Sequence, residues 1–249
     1  MEGPSLKVVA DSFLRFEGDT VLSASGNAKI TMDDLVGQRI GRIYTIGKLL
    51  FLGLERISVK IHFLMFGSYR IDEKREGMKP RLSLRCESGE VHFYNRAIRT
   101  IANEDVAQQF DEELDIVSPQ WRPGKVLAFA RNQKKEFICD VLLDQNIFGA
   151  VGNIIKNEAL FQALVHPLSV VGKIPPEKLE QLSQETRTFS RQLYETRKNG
   201  ESMGDIQRIY RKKLCPLCGE KVTTQKTGHR QRRSHFCPRC QVLYSRTVR

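Results

Sequence analysis

Four of the six cysteines fall into two pairs, Cys215-Pro-Leu-Cys218 and Cys237-Pro-Arg-Cys240, with eighteen residues between the pairs. Each Cys-x-x-Cys turn presents two thiolates to one ion, and two such turns close a tetrahedral shell. The spacing therefore reads as one structural zinc site per chain. Disulfides are the competing reading, but they belong to oxidising compartments. Redox chemistry normally uses one pair at a helix start, whereas here two pairs flank a polar hairpin. Four thiolates leave no coordination position for His229, His235 or a reactive water. The ion's task would be to hold the loop 219–236, whose "TGHRQRRSHF" is too small and too basic to fold around a core of its own. Cys86 and Cys139 lie in apolar runs and read as core thiols.

A second chemistry-bearing stretch is "LLDQNIFGAVGNIIKNEALFQALVHP" (142–167). Gly149, Gly152 and Asn153 interrupt two apolar helical runs, and His166-Pro167 ends the second. Gly-Asn at a helix entrance offers free backbone N–H groups and a side-chain amide, a natural seat for phosphate. A tight helical hairpin needs glycines too, so both readings stand. Lys156, one turn past Asn153, reads equally as a pocket residue or as helix surface.

These groups need elements to carry them. Pro4 suits the first turn of a helix running to about Phe16, with Leu6, Val9, Phe13 and Leu14 at helical spacing. From Val21 to about Ile101 the pattern shortens into strands separated by turn signals such as Glu55-Arg56 and Ser88-Gly89, which predicts an antiparallel sandwich or barrel. Pro119 and Pro123 mark a linker, and helical periodicity then runs to about Lys213. The order is β-rich, then α-rich, then metal module: an α+β chain with expected domains at 1–115, 125–212 and 213–249.

The 249 residues, 40% hydrophobic and 28% charged, can bury a substantial core. Glu2 and Lys7 break up the opening residues and no apolar segment follows, so no secretory signal is expected, and no stretch reaches membrane-spanning length. A cytoplasmic or nucleoid location is the expectation. The net charge is +11, and from Arg211 onward eleven Lys/Arg face the single acid Glu220. A basic segment with metal-spaced cysteines reads as a folded nucleic-acid footprint.

The stretch around "GAVGNIIKNEALF" resembles the helix–two-turns–helix element of the formamidopyrimidine-DNA glycosylase and endonuclease VIII family. The likeness extends over nearly the whole chain. "IGKLL" (46–50) resembles that family's turn with a phosphate-binding lysine. "IHFLMFGS" (61–68) resembles its segment with a phosphate-contacting histidine and a DNA-probing methionine. The terminal cysteine hairpin, with Arg232 five residues before Cys237, resembles its DNA-inserting finger. "MEGPS" resembles its Pro-Glu-Gly-Pro-Glu opening. The resemblance implies an N-terminal helix with an antiparallel β-sandwich, then a helix–two-turns–helix domain ending in a four-cysteine zinc hairpin.

It also implies a chemistry. The terminal α-amine, here that of Met1, attacks C1′ of the damaged nucleotide, the base leaves, a Schiff base forms, and elimination breaks the strand. An α-amine, with a pKa near about 8, is far easier to deprotonate than a lysine at about 10.4. Glu2 takes the general acid–base role. Lys48, counted with Met1 and Glu2 among the catalytic residues, grips phosphates around the lesion together with His62, Asn153 and Arg232, and Met65 fills the space left by the extruded base. The expected partner is double-stranded DNA with damaged bases or abasic sites, bound by a monomer. Two positions depart from the family pattern: Met1 replaces the terminal proline and Ser5 a second glutamate. Glu2 is too large for methionine trimming, so Met1 is expected to stay. "YNRAIRTI" (94–101) lacks the phenylalanine of the formamidopyrimidine branch, with only Arg99 to stand for one of its arginines. Together with "LLDQ" this leans toward endonuclease VIII and oxidised pyrimidines. A non-catalytic damaged-DNA binder that lost its proline, and a generic zinc-ribbon protein, are the rival readings.

Overall fold

The computed structural model describes residues 1–64, 67–94 and 97–245. Contacts divide the chain into two compact units, one of Met1 and residues 3–111, the other of Glu2 and the residues from 112 onward.

The first unit opens with α1 (Gly3–Asp11) and continues through β1 (Val21–Ser25), β2 (Ile40–Ile46), β3 (Leu49–Leu54), β4 (Ile57–His62), β5 (Tyr69–Ile71), β6 (Leu82–Cys86), β7 (Gly89–Phe93), β8 (Ala97–Ala102) and α2 (Asn103–Gln109). The strands form two antiparallel sheets, in the orders β2-β3-β4-β8 and β1-β6-β7-β5. Side chains alternate across each strand, so Val59 and Ile61 of β4 enter the core while Lys60 and His62 take the other face. The core joins both sheets to α1 through Leu6, Phe13, Leu50, Leu84 and Phe93. α1 stops earlier than its apolar spacing predicts. The Ser12 hydroxyl donates to the Val9 carbonyl, and the chain tightens into a short 3₁₀ turn at Leu14–Phe16.

One turn of this unit matters for the site. Ile46 pairs with Leu49, which leaves Gly47 and Lys48 as a two-residue hairpin loop. Gly47 has φ +62°, while Lys48 stays at negative φ, as a II′ turn requires. The turn holds Lys48 half-buried at the end of the sheet.

The second unit contains α3 (Pro123–Asn132), α4 (Ile138–Val141), α5 (Asn153–Gln162), α6 (Pro176–Lys198), α7 (Met203–Ile206) and the hairpin β9 (Thr223–Thr227) and β10 (Arg232–Phe236). Pro123 and Pro176 each sit in the first turn of a helix, where a missing N–H is harmless. Leu127, Phe148, Ile155, Leu160, Leu182 and Phe189 belong to the core of this unit. Two successive turns over 142–152 connect α4 to α5. No helix among the described residues is long and apolar enough to cross a membrane.

Candidate functional site

The first turn of α5 is occupied by a carboxylate. Glu2 accepts hydrogen bonds from the Ile154 N–H (2.6 Å) and the Ile155 N–H (3.2 Å). The positive end of a helix dipole favours an anion there. Gly152 is required by the same contact, because a Cβ at that position would fall inside the Glu2 side chain. This revises the phosphate seat expected from Gly-Asn: two of the backbone donors at that helix entrance serve Glu2. The Asn153 N–H still meets no acceptor among the described residues.

In the first unit, Met1 is about half exposed, and its terminal amine and Lys48 both act on His62. Burial foremost, and then the charges of the amine and of Lys48, push the His62 pKa below the ordinary histidine value. At neutral pH the imidazole is therefore mostly uncharged, a hydrogen-bonding group and not a cation. His62 ends β4 opposite Ala97. Arg99 is exposed on β8, paired with Lys60. Met65, the residue expected to probe the DNA, lies outside the described residues.

The finger is the β9–β10 hairpin, with Arg232 exposed at the start of β10. β10 lies along α5. The Arg233 carbonyl accepts from Asn153 Nδ2 (2.9 Å) and Lys156 Nζ (3.3 Å), and the His235 N–H donates to Asn157 Oδ1 (2.7 Å). The Asn153 amide is thus engaged by the finger strand, and its buried Oδ1 has no hydrogen-bond partner. Lys156 does not lie on the helix surface: it is fully buried. At the hairpin tip the Asp140 carboxylate accepts from the His229 N–H (2.7 Å) and the Arg230 N–H (3.0 Å). Glu158, also fully buried, accepts from the N–H groups of Arg208, Ile209 and Tyr210 at 2.8 to 3.1 Å, fastening α5 to the chain that leads into the hairpin. Sequence reasoning missed Asp140, Asn157 and Glu158. The one available signal was an acid, Asp140, within the apolar run "FICDVLL".

The four thiols of Cys215, Cys218, Cys237 and Cys240 lie within 4.8 Å of one another and could hold a metal ion. The Cys215–Cys240 and Cys218–Cys237 separations are 3.9 and 3.6 Å. Tetrahedral zinc with Zn–S bonds of about 2.3 Å requires an S–S edge of about 3.8 Å, so the donor set and its dimensions fit that ion. Phe161, Ile209 and Val222 pack around the cluster.

No family model matches the chain. The endonuclease 8-like 3 protein of Xenopus laevis is 31% identical over 233 residues, covering 89% of this chain and 38% of that protein. The chain spans about two fifths of the length of the endonuclease 8-like 3 relatives that it matches. A solved viral DNA glycosylase superposes with a TM-score of 0.84 at 24% identity, over 97% of this chain and 100% of that one. The Lactococcus lactis formamidopyrimidine-DNA glycosylase bound to abasic-site DNA superposes at 0.82 and 21% identity, over 97% and 99%. At these identities the structural likeness is one of fold.

Proposed function

Because this chain belongs to the formamidopyrimidine-DNA glycosylase and endonuclease VIII family, we propose that it is a DNA glycosylase with abasic-site lyase activity, acting on oxidised bases, foremost pyrimidines, in duplex DNA. The observation that carries the reading is Glu2. Its carboxylate, one residue from the terminal amine, is held by two backbone N–H groups at a fixed place on α5.

In this reading the unprotonated Met1 amine forms a bond to C1′ as the bond to the base breaks, and the departing base takes a proton from water. Glu2 takes the proton that the attacking amine releases and returns it to the sugar ring oxygen as the ring opens. Loss of a proton from C2′ then expels the 3′ phosphate, and water releases the amine. Lys48 and His62 in the first unit, with Asn153 and Arg232 in the second, bind backbone phosphates. Met65 takes the place of the extruded base. Zinc on the four cysteines is structural and takes part in no step. The location proposed for this activity is the cytoplasm or nucleoid.

The test is borohydride trapping on an abasic duplex. The expected result is a covalent adduct on the peptide that contains Met1, with intact mass showing an unblocked Met1 terminus. Glu2→Gln should slow base excision by about 10²–10⁴-fold and affect nicking of a pre-formed abasic site less. A protein blocked at its amine that still cleaves would overturn the mechanism. Binding without trapping would favour the non-catalytic reading, to which the replacement of proline by Met1 lends some weight.

A further inference from the structure

Lys156 takes no part in the chemistry proposed above, yet it is among the most deeply buried residues of the second unit. Its ammonium donates to Ser234 Oγ (2.9 Å) and to the Arg233 carbonyl (3.3 Å). Among the described residues no carboxylate lies within ion-pair distance of it. Both acceptors have other partners: Ser234 Oγ shares a 2.5 Å bond with Thr227 Oγ1 of β9, and the Arg233 carbonyl takes Asn153 Nδ2. Removing the lysine would strand neither acceptor, while keeping it places an ammonium away from water without a counter-ion. Stability gives no reason for a lysine here.

We propose that Lys156 is a positioning residue for the finger: its ammonium ties the Arg233 carbonyl and the Ser234 hydroxyl to α5, and so fixes where the preceding Arg232 meets a DNA phosphate. The proposal rests on the DNA-glycosylase reading. The charged and titratable groups around Lys156 are Cys139 and Asp140 of α4, Glu2, and Arg232 and His235 of β10. Burial, opposed in part by Cys139 and reinforced by Arg232, brings the Lys156 pKa down to about 8. Above that pH the amine keeps donors but loses its charge, and both bonds weaken.

The experiment is a double-mutant cycle on affinity for a duplex containing a tetrahydrofuran abasic analogue. Proteins compared are wild type, Lys156→Met, Arg232→Ala and the double variant, with melting temperature and zinc content measured for each. Arg232→Ala should weaken binding by about ten- to a hundredfold, the range for losing a hydrogen bond to a charged group. Lys156→Met should weaken it comparably while melting no lower than wild type and keeping its zinc, and the double variant should be no worse than Arg232→Ala. A second readout needs only wild type and Arg232→Ala: the affinity gap between them should shrink as pH rises through about 8. Additive losses, wild-type affinity in Lys156→Met, or a gap that is constant with pH would overturn the proposal. A Lys156→Met that binds normally beside a weakened Arg232→Ala removes only the positioning role. An Arg232→Ala that binds like wild type removes the finger's role in the proposed function as well.

Discussion

His62 is a phosphate-contact candidate held mostly neutral, and that has a measurable signature. A cation that neutralises a phosphate releases condensed counter-ions, so the log–log salt slope of binding changes by about 0.9 per contact. A neutral imidazole adds a hydrogen bond and no such change. His62→Ala should therefore weaken binding to abasic duplex at pH 7.5 by about three- to tenfold, the scale of one net hydrogen bond, with an unaltered salt slope. Arg232→Ala should make the slope shallower by about 0.9. Fluorescence anisotropy over a salt series measures both, and a slope that moves equally in the two variants would make His62 a charged contact. The direction follows from burial and two neighbouring cations, none of which is visible in the residue type itself.

At the scale of elements, the cysteine module is tied into the helical unit through its own backbone and Gln241. Val242 exchanges backbone bonds with Leu164 and His166, and Gln241 Nε2 donates to the Val165 carbonyl. Structural zinc contributes on the order of 10 kcal/mol in small modules, so its loss should be felt locally and strongly. Cys237→Ser, or chelation of the native protein, should release one zinc equivalent and abolish amide protection in β9 and β10. Protection in β2, β3 and β4, which belong to a separate core, should survive. Finding no zinc in the native protein would sink the assignment. Much of this architecture was legible beforehand. Alternating residues such as those of β4 announce a strand buried on one face, and paired Cys-x-x-Cys turns announce four thiols gathered at one point. The run Lys156-Asn157-Glu158 was not legible, because three polar residues in a row on a helix normally mean solvent. Here all three are buried, and what satisfies them (Ser234, His235 and the backbone of 208–210) lies some fifty to eighty residues further along the chain. At the Gly-Asn entrance, likewise, the carboxylate that takes two of the backbone donors comes from residue 2, far from α5 in sequence.

Across the whole molecule, that bond between Glu2 and Ile154 spans 152 positions of sequence. Closing so long a loop costs more entropy than a local turn does, although the cost grows only with the logarithm of length. Contacts of this separation pair late relative to helices and hairpins. Glu2→Ala should therefore leave both cores folded, lower stability by about 1 to 2 kcal/mol through the lost helix-end anion, and deprotect the Ile154 and Ile155 amides. The Lys156 amide, bonded to the Gly152 carbonyl, should stay protected, and hydrogen exchange resolves these neighbours. Unchanged exchange at Ile154 would mean that the carboxylate is not seated there in solution. Under the proposed mechanism this seating makes the acid–base partner of the amine depend on chain far downstream. A copy lacking residues 154 and 155 would present its amine beside an unanchored carboxylate, and base excision would be slow until the second unit is complete.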